Sequence, residues 1–216
     1  KHAGMIYASN LCHEIAQNVG FTNLAEEIIN EDGTITTKTN TGDMVTCNLN
    51  SISLGRITDE ELEENIALQI RMLDNVISIN QAPVPESRMT SDKYRAIGLG
   101  TSGYHHYLVN HDIQWESDEH IEVADKLFEN IAFYAIKASM ELAKEKGAYP
   151  AFKGSEWETG EYFTRRGYTS DRWKQLAADV AKYGIRNGYL MAVAPTGSTS
   201  NIANTTAGID PIFKKF

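Results

Sequence analysis

An amide, a thiol and a carboxylate stand at alternate positions in one short stretch, Ser9-Asn10-Leu11-Cys12-His13-Glu14-Ile15. If this stretch is extended, alternate side chains point to one face, so Asn10, Cys12 and Glu14 would lie side by side. Such a set can bind a sugar hydroxyl, attack it through sulfur and take up its proton. The alternative is a buried cysteine between two surface polar residues.

A second polar cluster follows the apolar residues 189–193, at a predicted junction between a strand and a helix. A helix N-terminus offers free N–H groups and a partial positive charge, which hydroxyl side chains supplement. We therefore predict a phosphate-binding cluster, with simple capping of the helix as the alternative. Its residues are Thr196, Gly197, Ser198, Thr199 and Ser200.

A third motif, Gly98-Leu99-Gly100-Thr101-Ser102-Gly103, matches the glycine spacing of dinucleotide-binding loops. A non-catalytic nucleotide-binding module that uses this loop is the rival interpretation of the chain. Its strand does not open a clean βαβ unit, however, and Glu116 lies in a polar stretch. Close packing of a strand against a helix accounts better for the glycines.

The remaining reactive side chains give weaker signals. On its residues alone, Cys47 lies on a predicted strand and reads as a buried core cysteine. The adjacent His105 and His106 would diverge on a helix, and we assign them, with His111, to packing or to the surface. No histidine spacing is typical of a metal site, so we expect none.

Composition limits the class of protein. The 216 residues carry a net charge of −9 and no dense basic run, which argues against a nucleic-acid partner. No apolar run approaches the length that spans a membrane. Two cysteines do not make a disulfide scaffold, so we expect a cytoplasmic protein with reduced thiols. The chain stops just after a Gly-Ile-Asp-Pro turn, and we expect it to be a piece of a longer protein.

Short apolar strands alternate with long helices in the predicted elements, which favours an α/β fold in a single domain over residues 1–216. A capping box of Thr58 and Glu61 predicts the start of a helix whose apolar stripe includes Leu62 and Ile66. The predicted strands are 44–49, 94–99 and 189–193, with an extended segment at 5–9 and a hairpin at 27–38. The other predicted helices are 102–109, 118–146 (ended by Gly147) and one that Ser170 begins and that ends near Gly184 or Gly188.

Four motifs stand out along the chain. They are Asn10-Leu11-Cys12-x-Glu14-Ile15, Thr46-Cys47-Asn48-Leu49, Arg95-Ala96-Ile97-Gly98-Leu99-Gly100, and Ala194-Pro195-Thr196 through Asn204 to Gly208-Ile209-Asp210-Pro211. Taken together, these motifs resemble the large catalytic subunit of class I ribonucleotide reductases. They occur in the family's order and cover essentially the whole chain. The overall pattern is nearer to the bacterial class Ib branch.

The resemblance implies a role for each matching residue. Cys12 becomes a thiyl radical that abstracts the 3′ hydrogen of the ribose, and Glu14 takes the 3′-hydroxyl proton. Asn10 hydrogen-bonds the substrate hydroxyls, with Ser9 as a further substrate contact. Cys47 belongs to the cysteine pair that supplies reducing equivalents. The cluster at 196–200 holds the substrate diphosphate, and Gly197 replaces an acidic residue found in some relatives.

The resemblance also implies a fold and partners. The family fold is a ten-stranded α/β barrel, of which this chain would be the central to C-terminal part. The redox partner of Cys47 would lie outside these 216 residues. No cofactor would bind here directly, because a separate small subunit with a metal cofactor generates the radical. A thioredoxin-like or glutaredoxin-like protein would re-reduce the thiols, and the substrate would be a ribonucleoside diphosphate.

Overall fold

The computed structural model describes residues 4–212, which combine helices and strands as the α/β prediction required. Within that range four strands form: β1 (Asn23–Ile29), β2 (Ile35–Asn40), β3 (Leu49–Ser53) and β4 (Gly98–Ser102). The helices of the same range are α1 (Leu62–Ile79), α2 (Pro85–Tyr94), α3 (Tyr104–Asn110), α4 (Asp118–Lys146), α5 (Glu156–Thr159), α6 (Glu161–Arg165), α7 (Asp171–Tyr183) and α8 (Gly197–Ile202).

The two longest helices, α1 and α4, pack against each other and provide much of the hydrophobic core. Helix α4 has the predicted limits: the Ser117 hydroxyl accepts a hydrogen bond from His120 N at 3.1 Å, and Gly147 ends the helix. Helix α1 buries Leu62 and Ile66 as predicted. It begins later than its capping box, although the Glu61 carboxylate does accept a bond from Thr58 N at 2.9 Å.

The central pair of strands is parallel, with Leu49 opposite Gly98 and Ser53 opposite Ser102. Residues 189–192 run along the other side of β4, where Leu99 N donates to Leu190 O at 2.8 Å. Only an isolated bridge between Leu99 and Met191 forms there, so the predicted strand at 189–193 is wrong in extent. Burial on both faces is also wrong, because Met191 is 39% exposed in the described part of the chain.

Two other strand predictions are displaced. Helix α2 occupies residues up to Tyr94, so the predicted strand at 94–99 begins only at Gly98, as β4. The predicted strand at 44–49 begins only at Leu49, which leaves Cys47 in the irregular segment before β3. Residues 5–9 are irregular and form no strand. Helix α7 follows Ser170 and ends at Gly184 as predicted, although the Ser170 side chain makes no capping bond.

The predicted hairpin is confirmed as β1 and β2, which pair antiparallel from Asn23 opposite Asn40 to Ile29 opposite Ile35. Asp32 shapes its turn by accepting bonds from the backbone N and the hydroxyl of Thr34, at 3.0 and 2.7 Å. Every residue of both strands is exposed, so the hairpin stands apart from the core. Among the described helices, none is both long and apolar enough to cross a membrane.

Candidate functional site

The segment that carries Cys12 is a turn, so the extended conformation that would place Asn10, Cys12 and Glu14 on one face does not form. His13 N donates to Asn10 O at 3.2 Å, and His13 has a φ of 65°. Asn10 Oδ1 accepts from Ile15 N at 3.0 Å, and Ser9 Oγ donates to Ile15 O at 2.6 Å. Short polar side chains often close turns through such bonds to nearby backbone. The alternate-face argument therefore does not explain how these residues are arranged.

The loop nevertheless brings Cys12, Glu14 and Cys47 into one electrostatic neighbourhood. Partial burial of the thiol, followed by the negative charges of Glu14 and Cys12, raises the pKa of Cys47 above its ordinary value. Both cysteines are free and exposed, so the interpretation of Cys47 as a core residue is wrong. The carboxylate oxygen Oε2 of Glu14 is buried and has no hydrogen-bond partner among the described residues.

The side chain of Gln17 connects the two cysteine segments. Its Nε2 donates to Thr46 O at 2.8 Å, and its Oε1 accepts from Thr46 N at 3.1 Å. Gln17 is 4% exposed. No motif pointed to this residue, because a glutamine at a polar position shows its role only when the partner backbone is in place.

A polar network beside Gln17 fixes the same two segments to the rest of the fold. Asn18 Nδ2 donates to Asp43 Oδ2 at 2.7 Å and to Tyr94 OH at 3.0 Å. Tyr189 OH donates to Asn18 Oδ1 at 2.8 Å. Lys93 pairs with Asp43 at 2.9 Å. The chain just after the Cys12 loop is thus tied to α2 and to the segment beside β4.

The glycine motif lies in the completely buried strand β4, so residues 98–102 do not form a loop open to a ligand. A Cβ on Gly98 would overlap the Leu49 side chain and lie 2.9 Å from Ala192 Cβ. One on Gly100 would collide with Ala192 O and lie 3.2 Å from Val193 Cα. Close packing is therefore the reason for these glycines, although the neighbours are adjacent chain segments and not the expected helix.

The predicted phosphate cluster forms a turn and the six-residue helix α8. Thr196 has a φ of 53°, and its hydroxyl accepts from Gly208 N at 2.7 Å. The Thr199 and Ser200 hydroxyls donate to Thr196 O at 3.3 Å and Gly197 O at 3.2 Å. The exposed Ser198 hydroxyl has no hydrogen-bond partner among the described residues. The cluster combines internal capping with one side chain free for a ligand.

A cavity of about 570 Å³ separates this cluster from β3, and Thr196, Thr199 and Asn50 are among its lining residues. Asn50 Oδ1 and Ser53 Oγ are buried here without a partner among the described residues. Cys47 lines a different cavity, of about 670 Å³. Ser9 and Asn10 line a third, of about 540 Å³. The described residues therefore do not gather the thiols and the phosphate cluster around one cavity.

The three histidines assigned to packing or to the surface all make hydrogen-bonding contacts within this chain. His105 Nδ1 accepts from Ile212 N at 2.8 Å, and His106 Nδ1 lies 3.0 Å from Thr205 Oγ1. His111 Nδ1 lies 2.8 Å from Tyr107 O. Within residues 4–212, no group of three or more His, Cys, Asp or Glu side chains is arranged to hold a metal ion.

The interior holds a charge cluster around Asp74, a residue that the sequence reasoning missed. Arg95 Nε approaches Asp74 Oδ1 at 2.7 Å, Arg186 Nε at 3.2 Å, and Lys146 Nζ approaches Oδ2 at 3.4 Å. Burial favours a higher pKa, but the Arg95 bond and the three positive charges outweigh it and hold the pKa of Asp74 below its ordinary value. Asn187 Nδ2 donates to Asp74 Oδ1 at 3.3 Å. The sequence did carry a signal for this cluster, because Asp74 is an acidic residue within the apolar stripe of α1.

Comparisons with known proteins place this chain in a family. The family model described as "Ribonucleotide reductase, barrel domain" matches residues 1–216. The chain is 54% identical to the ribonucleoside-diphosphate reductase subunit alpha of Treponema pallidum (strain Nichols), over 100% of this chain and 26% of that protein.

Proteins of the same name are similar at lower identity. The one from Helicobacter pylori (strain J99 / ATCC 700824) is 37% identical, over 99% of this chain and 34% of its own length. The one from Synechocystis sp. is 33% identical, over 100% of this chain and 26% of its own length. The chain thus spans about a quarter to a third of these relatives. It belongs to the ribonucleotide reductase family, within the barrel domain of the large subunit.

Proposed function

We propose that this chain supplies the radical-bearing thiol, the base and one reducing thiol of a ribonucleoside-diphosphate reductase. The observation that carries the proposal is that Gln17, three residues after Glu14, bonds Thr46 N and O, next to Cys47. The two cysteines thus come together although they are 35 residues apart in sequence, and the charges of Glu14 and Cys12 help to raise the pKa of Cys47. The match of the reductase family model to residues 1–216 supports the proposal. The substrate class is a ribonucleoside diphosphate, as the relatives' name states for them.

The chemistry assigned to Cys12 requires an exposed sulfur. As a thiyl radical, Cys12 abstracts the hydrogen atom from C3′ of the ribose, forming an S–H bond and leaving the unpaired electron on carbon. The step is reversible because the S–H and C–H bonds are close in strength. The free, exposed thiol of Cys12 supports this role.

Glu14 is the base that takes the 3′-hydroxyl proton, which helps the 2′-hydroxyl to leave. Its buried Oε2 has no partner among the described residues, and an unsatisfied acceptor of this kind is unfavourable until a donor reaches it. A substrate hydroxyl would be such a donor. Asn10 and Ser9 are proposed substrate contacts, although in the structure both side chains also bond the loop backbone.

Cys47 is proposed to supply reducing equivalents by forming a disulfide with a cysteine outside these 216 residues. Its raised pKa favours the protonated thiol over the thiolate, so that it can deliver hydrogen as well as electrons. The cluster at 196–200 is proposed to hold the diphosphate, with the free Ser198 hydroxyl as a donor. The cavity between this cluster and β3 would take the phosphates.

The remaining assignments concern the assembled enzyme. We propose that residues 1–216 form part of a single ten-stranded α/β barrel domain, of the class Ib branch. A small subunit with a metal cofactor would supply the radical, and a thioredoxin-like or glutaredoxin-like protein would re-reduce the thiols. The cytoplasm, where thiols stay reduced, is the proposed setting.

The two cysteines provide the test of the proposed function. In the full-length protein that contains this chain, Cys12→Ser should abolish turnover, because the O–H bond of serine is too strong for the radical relay to open. Cys47→Ser should still allow the radical step but stall reduction, so free base should appear in place of deoxynucleotide. Products are measured by chromatography with the small subunit and a thiol reductant present.

Nucleotide binding is the control, because both serine variants should retain it. Wild-type turnover in both variants would show that the thiol assignments are wrong.

The rival interpretation, a binding module built on residues 98–103, has lost its support, because β4 is completely buried.

A further inference from the structure

The Cys47 thiol has no hydrogen bond of its own among the described residues, so its neighbours in sequence must determine where it lies. On one side Asn48 Nδ2 donates to the backbone oxygen of Leu73, a buried residue of α1, at 2.9 Å. On the other side Thr46 is held through its backbone N and O by Gln17. The position of the thiol thus depends on two anchors, one in the core and one in the segment that follows Glu14.

Gln17 is the anchor that relates the two cysteines. Among the hydrogen bonds of residues 4–212, those of Gln17 are the ones that join segment 9–17 to segment 44–48. Donor and acceptor of one amide are both used, at 2.8 and 3.1 Å, as in a pair of bonds between neighbouring strands. With 4% of the residue exposed, water has little access to replace either bond.

We propose that Gln17 is the positioning residue that sets the Cys47 thiol beside Cys12 and Glu14. The catalytic consequence of this proposal rests on the proposed function. The geometric consequence, which is the position of the Cys47 thiol, rests on the hydrogen bonds alone. Gln17 touches neither sulfur and takes part in no bond-breaking step. It acts by fixing the backbone at Thr46, so that the reducing thiol stays within reach of the sugar on which Cys12 acts.

The test uses the full-length protein with Gln17→Met, which keeps the length of the side chain but removes both the donor and the acceptor. Gln175→Met is the matched control, because Gln175 is exposed on α7 and bonds only Asp179, at 3.2 Å, among the described residues. The first measurement is the yield of a Cys12–Cys47 cross-link with a short reagent that carries two thiol-reactive groups, identified by peptide mass spectrometry. We expect the yield to fall about tenfold, as loss of two buried hydrogen bonds would allow.

The second measurement is catalytic. With Gln17→Met we expect kcat to fall about tenfold or more at an unchanged KM, because a small displacement of a reacting group is sufficient for such a loss. The ratio of free base to deoxynucleotide should rise, as for Cys47→Ser. General destabilisation would lower the amount of active enzyme without changing that ratio.

Gln17→Glu keeps the acceptor for Thr46 N and serves as the second variant. We expect a cross-link yield between those of the wild type and Gln17→Met. If Gln17→Met does not fold, the yield of Gln17→Glu shows whether Gln17 positions Cys47. An unchanged cross-link yield and an unchanged product ratio in a folded Gln17 variant would overturn the proposal. The cross-link does not depend on catalysis, so it still tests the position of Cys47 if Cys47→Ser contradicts the proposed function.

Discussion

Asp74 and Cys12 are held by the chain in opposite ways. The Asp74 carboxylate is completely buried and is contacted by Arg95, Arg186 and Lys146. The Cys12 thiol is exposed and makes no hydrogen bond within residues 4–212, whereas the loop around it is closed by backbone and side-chain bonds. The first arrangement satisfies every acceptor of a charged group, whereas the second leaves a reactive atom free.

The difference separates stability from chemistry. Asp74 lies on α1 and its partners lie just after α2, at the end of α4 and just before the segment beside β4, so one carboxylate joins four parts of the fold. The candidate chemical groups Cys12, Cys47 and Ser198 are exposed, and we call this exposed part of the molecule the rim. The position of Cys47 depends on neighbours such as Gln17. Changes in the interior should therefore reduce folding stability, and changes at the rim should reduce activity while stability remains.

The largest expected effect on stability is that of Asp74→Ala. Removing one partner of a buried ion cluster leaves buried positive charges uncompensated, which destabilises a protein by about 3–5 kcal/mol. The free energy of unfolding, measured with urea, should fall by that amount. Asp92→Ala is the control, because the pair of Asp92 with Arg88 is exposed at 3.8 Å and should contribute less than about 1 kcal/mol. Equal losses in both variants would contradict the importance of the cluster.

A smaller loss of stability is expected for Gly100→Ala in β4. The added methyl group would meet the backbone of Ala192 and Val193, and overpacking of this kind destabilises by about 1–3 kcal/mol. Gly197→Ala is the matched variant at the rim, since a Cβ there meets no atom within 4 Å. Thermal unfolding should show a lower Tm for the first variant and no loss for the second. The reverse order would show that β4 is not closely packed.

At the rim, Ser198→Ala should weaken substrate binding by about 1.5–3 kcal/mol, the range for a hydrogen bond to a charged group. Stability should not change, because the Ser198 hydroxyl has no partner among the described residues. Calorimetric titration of the full-length protein with a ribonucleoside diphosphate measures the affinity. Thr37→Ala, on the exposed strand β2, is the control. Unchanged affinity in Ser198→Ala would remove the phosphate role from this side chain.

The smallest expected effect is that of Glu14→Gln on Cys47. The negative charge of Glu14 helps to raise the pKa of the Cys47 thiol, so removal of that charge should lower this pKa. A lower pKa means more thiolate at a fixed pH, and alkylation of Cys47 by iodoacetamide near pH 8 should become a few-fold faster. The pH–rate profile should shift to lower pH. Glu31→Gln in the hairpin turn should leave the profile unchanged, and an equal shift there would contradict the electrostatic account.

The sequence predicted the elements whose signal is local. Helix α4 was predicted with its limits because its apolar period and the Gly147 that ends it are signals within or directly beside the helix. The hairpin was predicted for the same reason, from Asp32 and its flanking strands. Strand β4 was displaced because a glycine-rich segment has little strand preference of its own. Its pairing with β3 determines where it begins.

Candidate site residues were predicted by type, and their arrangement was not. Asn10 would share one face with Cys12 and Glu14 if its segment were extended, but its side chain bonds Ile15 N and helps to close a turn. Cys47 was expected in the core and is exposed. The Asn10 bond closes an irregular turn, and the position of Cys47 depends on contacts between segments about 30 residues apart, such as the Gln17–Thr46 bonds. No periodicity within either segment carries that information.

The hairpin of β1 and β2 leaves and re-enters the fold at one point. Gly20 N donates to Asp43 O at 2.9 Å, and a Cβ on Gly42 would collide with Gly20 O. The segments that precede and follow the hairpin are therefore in direct contact. A surface loop whose ends are already closed can grow or shrink with little change in free energy, because closure entropy depends only weakly on length. The hairpin can therefore change in length while the segments that carry Cys12 and Cys47 keep their separation, and a fluorescent or affinity label inserted at Gly33 would lie away from both thiols.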